Sequence, residues 1–127
     1  MSDKMEINAT TVQVNGQTVA VAKKPKYKRG MPKVTSNTSF VGNEVEVTQN
    51  VDYSEAIGEV TIALRNTLKN VNLVEDWQDN IGKNAIRLVD TGTGFTKTFN
   101  QMSIDDDVEI DFDAEEIEVT FQGGQGK

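Results

Sequence analysis

The sequence predicts a mainly β domain, a β-sandwich or barrel with one short α-helix and one long extended arm. Three observations point there. Val (15) and Ile (8) outnumber Leu (4), and 13 Thr add further β-branched side chains whose stiff χ1 suits pleated strands. Apolar and polar residues alternate through several runs, whereas only one stretch repeats at spacings of three and four. Two turn signals, Asn15-Gly16 and Thr91-Gly92-Thr93-Gly94, separate alternating runs. The 127 residues fit one domain, 1–127, since single cores hold roughly 100–200 residues.

Ala9–Val14 and Gln17–Ala22 flank Asn15-Gly16, a pair that tolerates the positive φ of a type I′ turn, so the chain should open with a hairpin. From Lys23 to about 43 the alternation fails. Pro25, Gly30, Pro32 and Gly42 punctuate a polar, basic stretch too long for a plain loop, and it reads as an arm that orders on a neighbour. Val45, Val47 and Val51 then alternate with Glu44, Glu46 and Thr48 as a half-buried strand would. A connection over Asp52–Gly58 leads to a second strand carrying Val60, Ile62 and Leu64.

Next the period changes. Leu68, Val71, Val74, Trp77 and Ile81 form one apolar stripe on a short helix, with Asn66, Thr67 or Asn70 as caps and Gly82 as its stop. Ala85–Asp90 and Phe95–Asn100 make a second hairpin around the Thr-Gly repeat. Val108, Ile110 and Phe112, then Ile117, Val119 and Phe121, fall on opposite phases. They read as two antiparallel strands joined by a tight turn at Asp113–Glu116. Residues 123–127, Gly-Gly-Gln-Gly-Lys, read as a flexible tail.

Charge is divided along the chain. Lys23–Lys33 holds six basic residues and no acid, Ile104–Glu118 holds nine acids and no base, and the whole carries −7. A basic arm and an acidic face can steer identical copies into register.

Organised catalysis has little to draw on, because the chain has neither His nor Cys. That removes the usual general base, the commonest metal ligand and every Ser-His or Cys-His arrangement. The acids of 105–113 do not follow the pattern of a calcium loop, and alternating acids along a strand cannot easily wrap one ion. Thr91–Gly94 precedes a strand instead of opening a helix, against a phosphate loop. Lys23–Lys33 with Tyr27 could grip phosphate and stack a base, but the net negative charge opposes a polyanion. No enzyme activity, cofactor or metal is expected. No apolar run approaches the roughly 20 residues of a membrane span, and Met1–Lys4 leads into no signal-like segment, so a soluble protein made in a cytosol is expected.

The order of elements resembles the tail tube proteins of long-tailed phages, especially the small ones of contractile tails. The resemblance is carried by Val12-Gln13-Val14-Asn15-Gly16-Gln17, the basic arm, Gly58–Leu64, the helix ending near Trp77, Asp90-Thr91-Gly92 and the closing Glu116–Gly123. Asp105–Asp113 departs from the family's pattern. The resemblance implies hexameric rings stacked into a hollow tube, with inner sheets joined into one barrel around a lumen that passes double-stranded DNA without binding it specifically. It implies self-association, a tape-measure protein, a tail terminator, a baseplate hub and, in contractile relatives, a sheath as partners. The location implied is the virion tail, after assembly in the host cytoplasm. The tube of a bacterial contractile secretion system or tailocin is the near alternative, and a monomeric β-sandwich binding module the distant one.

On that reading Lys23, Lys24, Lys26, Tyr27, Lys28, Arg29 and Lys33 form the inter-ring and inter-subunit arm. Acids facing the lumen would come from Glu44, Glu46, Glu59, Glu109, Asp111, Glu116 and Glu118. Duplex DNA carries one negative charge per about 1.7 Å, so an acidic bore lets it slide where a basic one would hold it.

Overall fold

The structure, a computed structural model, describes residues 10–127. Ala9, where the opening strand is expected to begin, and the Met1–Lys4 opening lie outside the described residues. The Asn15-Gly16 hairpin forms as expected. β1 (Thr10–Val14) and β2 (Gln17–Val19) pair with Val14 opposite Gln17, and Asn15 and Gly16 take φ of 55° and 81°, the two positive values a type I′ turn demands.

The stretch expected as an irregular arm is built differently. β3 (Lys26–Lys28) joins a sheet, and β4 (Lys33–Val41) pairs along its whole length with β5 (Glu44–Asp52) in a separate two-stranded ribbon. A single 3-10 turn over Tyr53–Glu55 leads to β6 (Gly58–Arg65), α1 (Leu68–Asp79), β7 (Asn84–Asp90), β8 (Phe95–Ile104) and β9 (Glu116–Gly123).

Apart from the ribbon, the strands form one antiparallel sheet in the order β2-β1-β7-β8-β9-β6-β3. β8 lets it fold over. Its first half pairs with β7, and its end, Ser103 and Ile104, pairs with β9. Phe99 and Met102 are both fully buried although three apart, and Gln101 takes a φ of 57°, so the period of two slips there. Such a bulge bends a sheet. The β2-β1-β7 half and the β9-β6-β3 half thereby enclose one core as a sandwich.

β6 and β9 meet through Val60 opposite Phe121, Ile62 opposite Val119 and Leu64 opposite Ile117, all of them buried. This pairing displaces the expected terminal hairpin. Residues 105–115 form no strand, and β9 takes β6 and the end of β8 as partners. A hairpin of 108–112 with 117–121 would have set Glu109 and Asp111 across from Glu116 and Glu118, and like charges on facing strands repel. In the sheet Glu116 lies opposite Arg65 and Glu118 opposite Ala63. Val108 and Ile110 still pack against the core, while Phe112 is exposed.

Thr67 caps α1, its Oγ1 accepting the Asn70 N–H at 3.3 Å. The helix covers less of the apolar stripe than the spacing suggests. Val74 and Trp77 are buried, with Trp77 5.6 Å from the Phe121 ring, but Leu68 at the first turn and Ile81 beyond the C-cap are exposed. Asn84, wholly buried, closes the far end. Its Nδ2 donates to the Trp77 and Asn80 carbonyls (3.0 and 3.1 Å), and its Oδ1 accepts from Asn15 and Asn80 (3.1 and 3.2 Å). One amide thus ties the helix C-terminus to the opening turn.

Residues 123–127, expected as a loose tail, are woven in. Gly124 N–H donates to Asn100 O, Gly126 N–H to Arg29 O, and Thr98 and Lys127 exchange two backbone bonds of 2.9 Å. Gly126 lies against Phe99, where a Cβ would come within 2.8 Å of the ring. Glycine is what lets the 124–127 segment close under that aromatic.

Asn84→Ala should lower the unfolding free energy by about 2 kcal/mol or more, read by urea denaturation, because it removes four hydrogen bonds made by a wholly buried amide. Asn84→Asp should not rescue it, since a carboxylate offers the Trp77 and Asn80 carbonyls no donor.

Candidate assembly surfaces

The ribbon β4–β5 has two unlike faces. Val34, Ser36, Thr38 and Phe40 lie opposite Val51, Gln49, Val47 and Val45, which puts five apolar side chains on one side. Glu44, Glu46, Asp52 and Lys33 fall on the other, with Thr and Asn between them. All eighteen ribbon residues are exposed, Phe40 by 78 % and Val47 by 60 %. The alternation expected to mark a half-buried strand is present, but nothing in the described chain covers it. Nine residues at roughly 3.4 Å each make a ribbon about 30 Å long. Isolated two-stranded ribbons of this kind are marginal in water.

Glycines hold the root of the ribbon. Gly30 (φ 98°) is buried where the chain enters, and a Cβ there would sit 2.8 Å from the Ile57 carbonyl carbon. A Cβ on Gly58, where the chain leaves, would run into the Gly124 carbonyl oxygen. Gln125 Nε2 donates to Gly30 O at 3.2 Å, so the 123–127 segment clamps the crossing. Just outside it, the Ser54 hydroxyl and N–H both donate to Asp52 Oδ1 (2.6 and 3.0 Å) and hold that exposed carboxyl below its usual range.

The seven residues expected on the arm are spread over successive segments of the chain. Lys23 and Lys24 lie on the crossing from β2 to β3, Lys26 and Lys28 point outward from β3, Arg29 follows it, and Lys33 opens the ribbon. Tyr27, still 40 % exposed, leans on the core as the apolar peg of β3, with its ring 5.7 and 5.8 Å from the Phe95 and Phe99 rings.

The acids are also dispersed. Glu44 and Glu46 are on the ribbon, Glu109 and Asp111 in the 105–115 segment, and Glu59, Glu116 and Glu118 on the outward face of the β9-β6-β3 half. That face is a mosaic. Lys28 stands across from Glu59, which accepts from Gln122 at 3.3 Å; Lys26 is across from Thr61, which bonds Thr120 at 3.2 Å; Arg65 is across from Glu116. Three acids and three bases balance on it. Excess negative charge gathers only at its rim, where Asp105, Asp106 and Asp107 flank Glu118 around a hollow of about 190 Å³.

Sequence reasoning missed the 123–127 clamp and the ribbon's free apolar face. The valine alternation signalled the face; only its exposure was hidden. Among the described residues the one buried carboxyl, Asp90, accepts the Gly92 N–H at 2.9 Å in the β7–β8 turn, and no three acids cluster to hold a metal ion.

Solved structures of contractile injection systems share this fold. A chain of the PVC sheath/tube terminator in the extended state matches with a TM-score of 0.63 and 11 % identity, over 98 % of this chain and 95 % of that one. The tube-terminating cap of the anti-feeding prophage matches at 0.67 and 9 %, over 100 % and 91 %. A chain of the extended PVC sheath–tube complex matches at 0.65 and 12 %, over 98 % and 90 %. No protein-family model and no characterised protein matches the sequence itself.

Gly30→Ala should cost about 2 kcal/mol or more in thermal unfolding, combining left-handed strain with a backbone clash. Val47→Lys, by contrast, should change monomer stability by less than about 0.5 kcal/mol in urea denaturation. A large loss there would mean that the ribbon packs on its own chain.

Proposed function

We propose that this chain is a structural subunit of the tube of a contractile-tail-type particle, closing with copies of itself into hexameric rings that stack around a lumen. The observation that carries the reading is the ribbon: a long, amphipathic, fully exposed pair of strands makes sense only against another molecule. The fold shared with sheath–tube and terminator components supports it. Each copy offers the exposed edge of β3, and its cations Lys26 and Lys28, to an acidic neighbour, while the ribbon's apolar face lies on the next subunit. Sheath, tape-measure protein, terminator and baseplate hub are the partners such a tube would meet, in a phage tail, a tailocin or a secretion system. The six rim patches of Asp105–Asp107, on rings of six copies at −7 each and thus −42 in all, would face a passing polyanion without binding it.

A second reading is favoured by two of the three structural neighbours: a terminator or cap that forms one ring at the end of a tube. Negative-stain microscopy and sedimentation of the purified chain separate these readings. Stacked tubes are expected for a tube subunit and single rings for a terminator. A monomer at every concentration and salt would overturn both. Lys24→Gln with Lys28→Gln should shorten the tubes while leaving the fold intact.

A further inference from the structure

Phe112 is the most exposed large apolar side chain among the described residues, at 93 %. It is not on a loose loop. Asp111 Oδ1 accepts the Asp113 N–H (2.9 Å), Asp111 O accepts the Ala114 N–H (3.1 Å), and Asn66 Nδ2 donates to both Asp111 O (2.7 Å) and Ala114 O (2.9 Å). The turn is therefore tied down on both sides and presents one aromatic ring, flanked by Asp111, Asp113 and Glu115. Fixing such a ring before contact removes much of the ordering cost of binding, and aromatic anchors of this kind dominate interfaces.

The complementary surface lies on the same chain. Beside the root of the ribbon is a notch of about 440 Å³ lined by Lys28, Arg29, Gly30, Met31, Glu55 and Ile57. Met31 and Ile57 are 67 % and 50 % exposed and give it an apolar floor, and two cations against one acid leave its rim positive. Knob and notch sit at opposite ends of β6: Asn66, which holds the knob, follows Arg65, and Ile57 precedes Gly58. Eight residues of strand separate them by roughly 25 Å. One molecule cannot join its own pair.

We propose that Phe112 of one copy seats in the Lys28–Arg29–Met31–Ile57 notch of the next, with Asp113 and Glu115 against Lys28 and Arg29. A contact between unlike patches at two ends of a subunit is heterologous and repeats head to tail. It therefore fixes the direction along which copies add, parallel to β6. The proposal rests on the self-assembly reading and names the contact that reading lacks.

The full chain has no cysteine, so engineered thiols report cleanly. Copies carrying Phe112→Cys, mixed with copies carrying Met31→Cys under a mild oxidant, should form mixed disulfide dimers, whereas Phe112→Cys alone should not. Phe112→Ser should keep the wild-type unfolding temperature but need about thirtyfold more protein to assemble, the loss expected of a strong anchor. Lys28→Glu with Arg29→Glu should weaken assembly similarly, and adding Asp113→Lys with Glu115→Lys should restore it. If the wild-type chain assembles while Phe112→Ser assembles at the same concentration and no mixed disulfide forms, the knob contact is wrong and the ring reading stands. If the wild-type chain stays monomeric throughout, both fall.

Discussion

The register of β6 against β9 governs the rest of the molecule. Val60, Ile62 and Leu64 meet Phe121, Val119 and Ile117 in the core, and a slip of one residue in either strand would turn that strand's three to solvent. The same register sets Glu59, Arg65, Glu116 and Glu118 on the outward face. It also takes β9 away from its sequence neighbour, so residues 105–115 are left outside the sheet with Phe112 at their tip. Even the ends of β6 acquire meaning from it, because one end holds the ribbon's glycine crossing and the other the Asn66 bonds to the acidic turn.

The core and the ribbon carry separate apolar surfaces. The sandwich buries Val12, Ile62, Phe99, Phe121 and their neighbours without help from the ribbon, whose valines and Phe40 stay in water. If a second copy covers that side, as proposed above, its burial would show as association and not as monomer stability. The polar and acidic reverse face of the ribbon, with Glu44, Glu46 and Asp52, restrains indiscriminate pairing of so long an exposed edge.

Electrostatics act locally. The sheet face that carries the largest share of the expected lumen acids balances them with Lys26, Lys28 and Arg65, and at physiological ionic strength fields fade over about 8 Å. Charge therefore matters where it is unbalanced: the Asp105–Asp107 rim, the acids around Phe112, and Arg29 at the notch. On the proposed contact these patches would steer one copy onto another even though the whole molecule is negative.

Local chemistry was legible in the sequence. Asn15-Gly16 could hardly be anything but a primed turn, Thr67 caps its helix, the Thr-Gly repeat turns a hairpin, and Val60, Ile62, Leu64 and Trp77 are core. These follow from φ preferences and from period, which act over a few residues. The candidate site was only half legible: the cations and acids were found, but not their grouping. What tertiary structure alone decided was which partner each strand takes and which apolar faces find cover. Tyr27 became a peg under Phe95 and Phe99, residues 123–127 a clamp, and the 44–52 strand half of a free ribbon, although its alternation is that of a buried one. A period of two says that a strand has an apolar side; only the competition among distant strands for the same core determines whether that side is buried within the chain or left exposed.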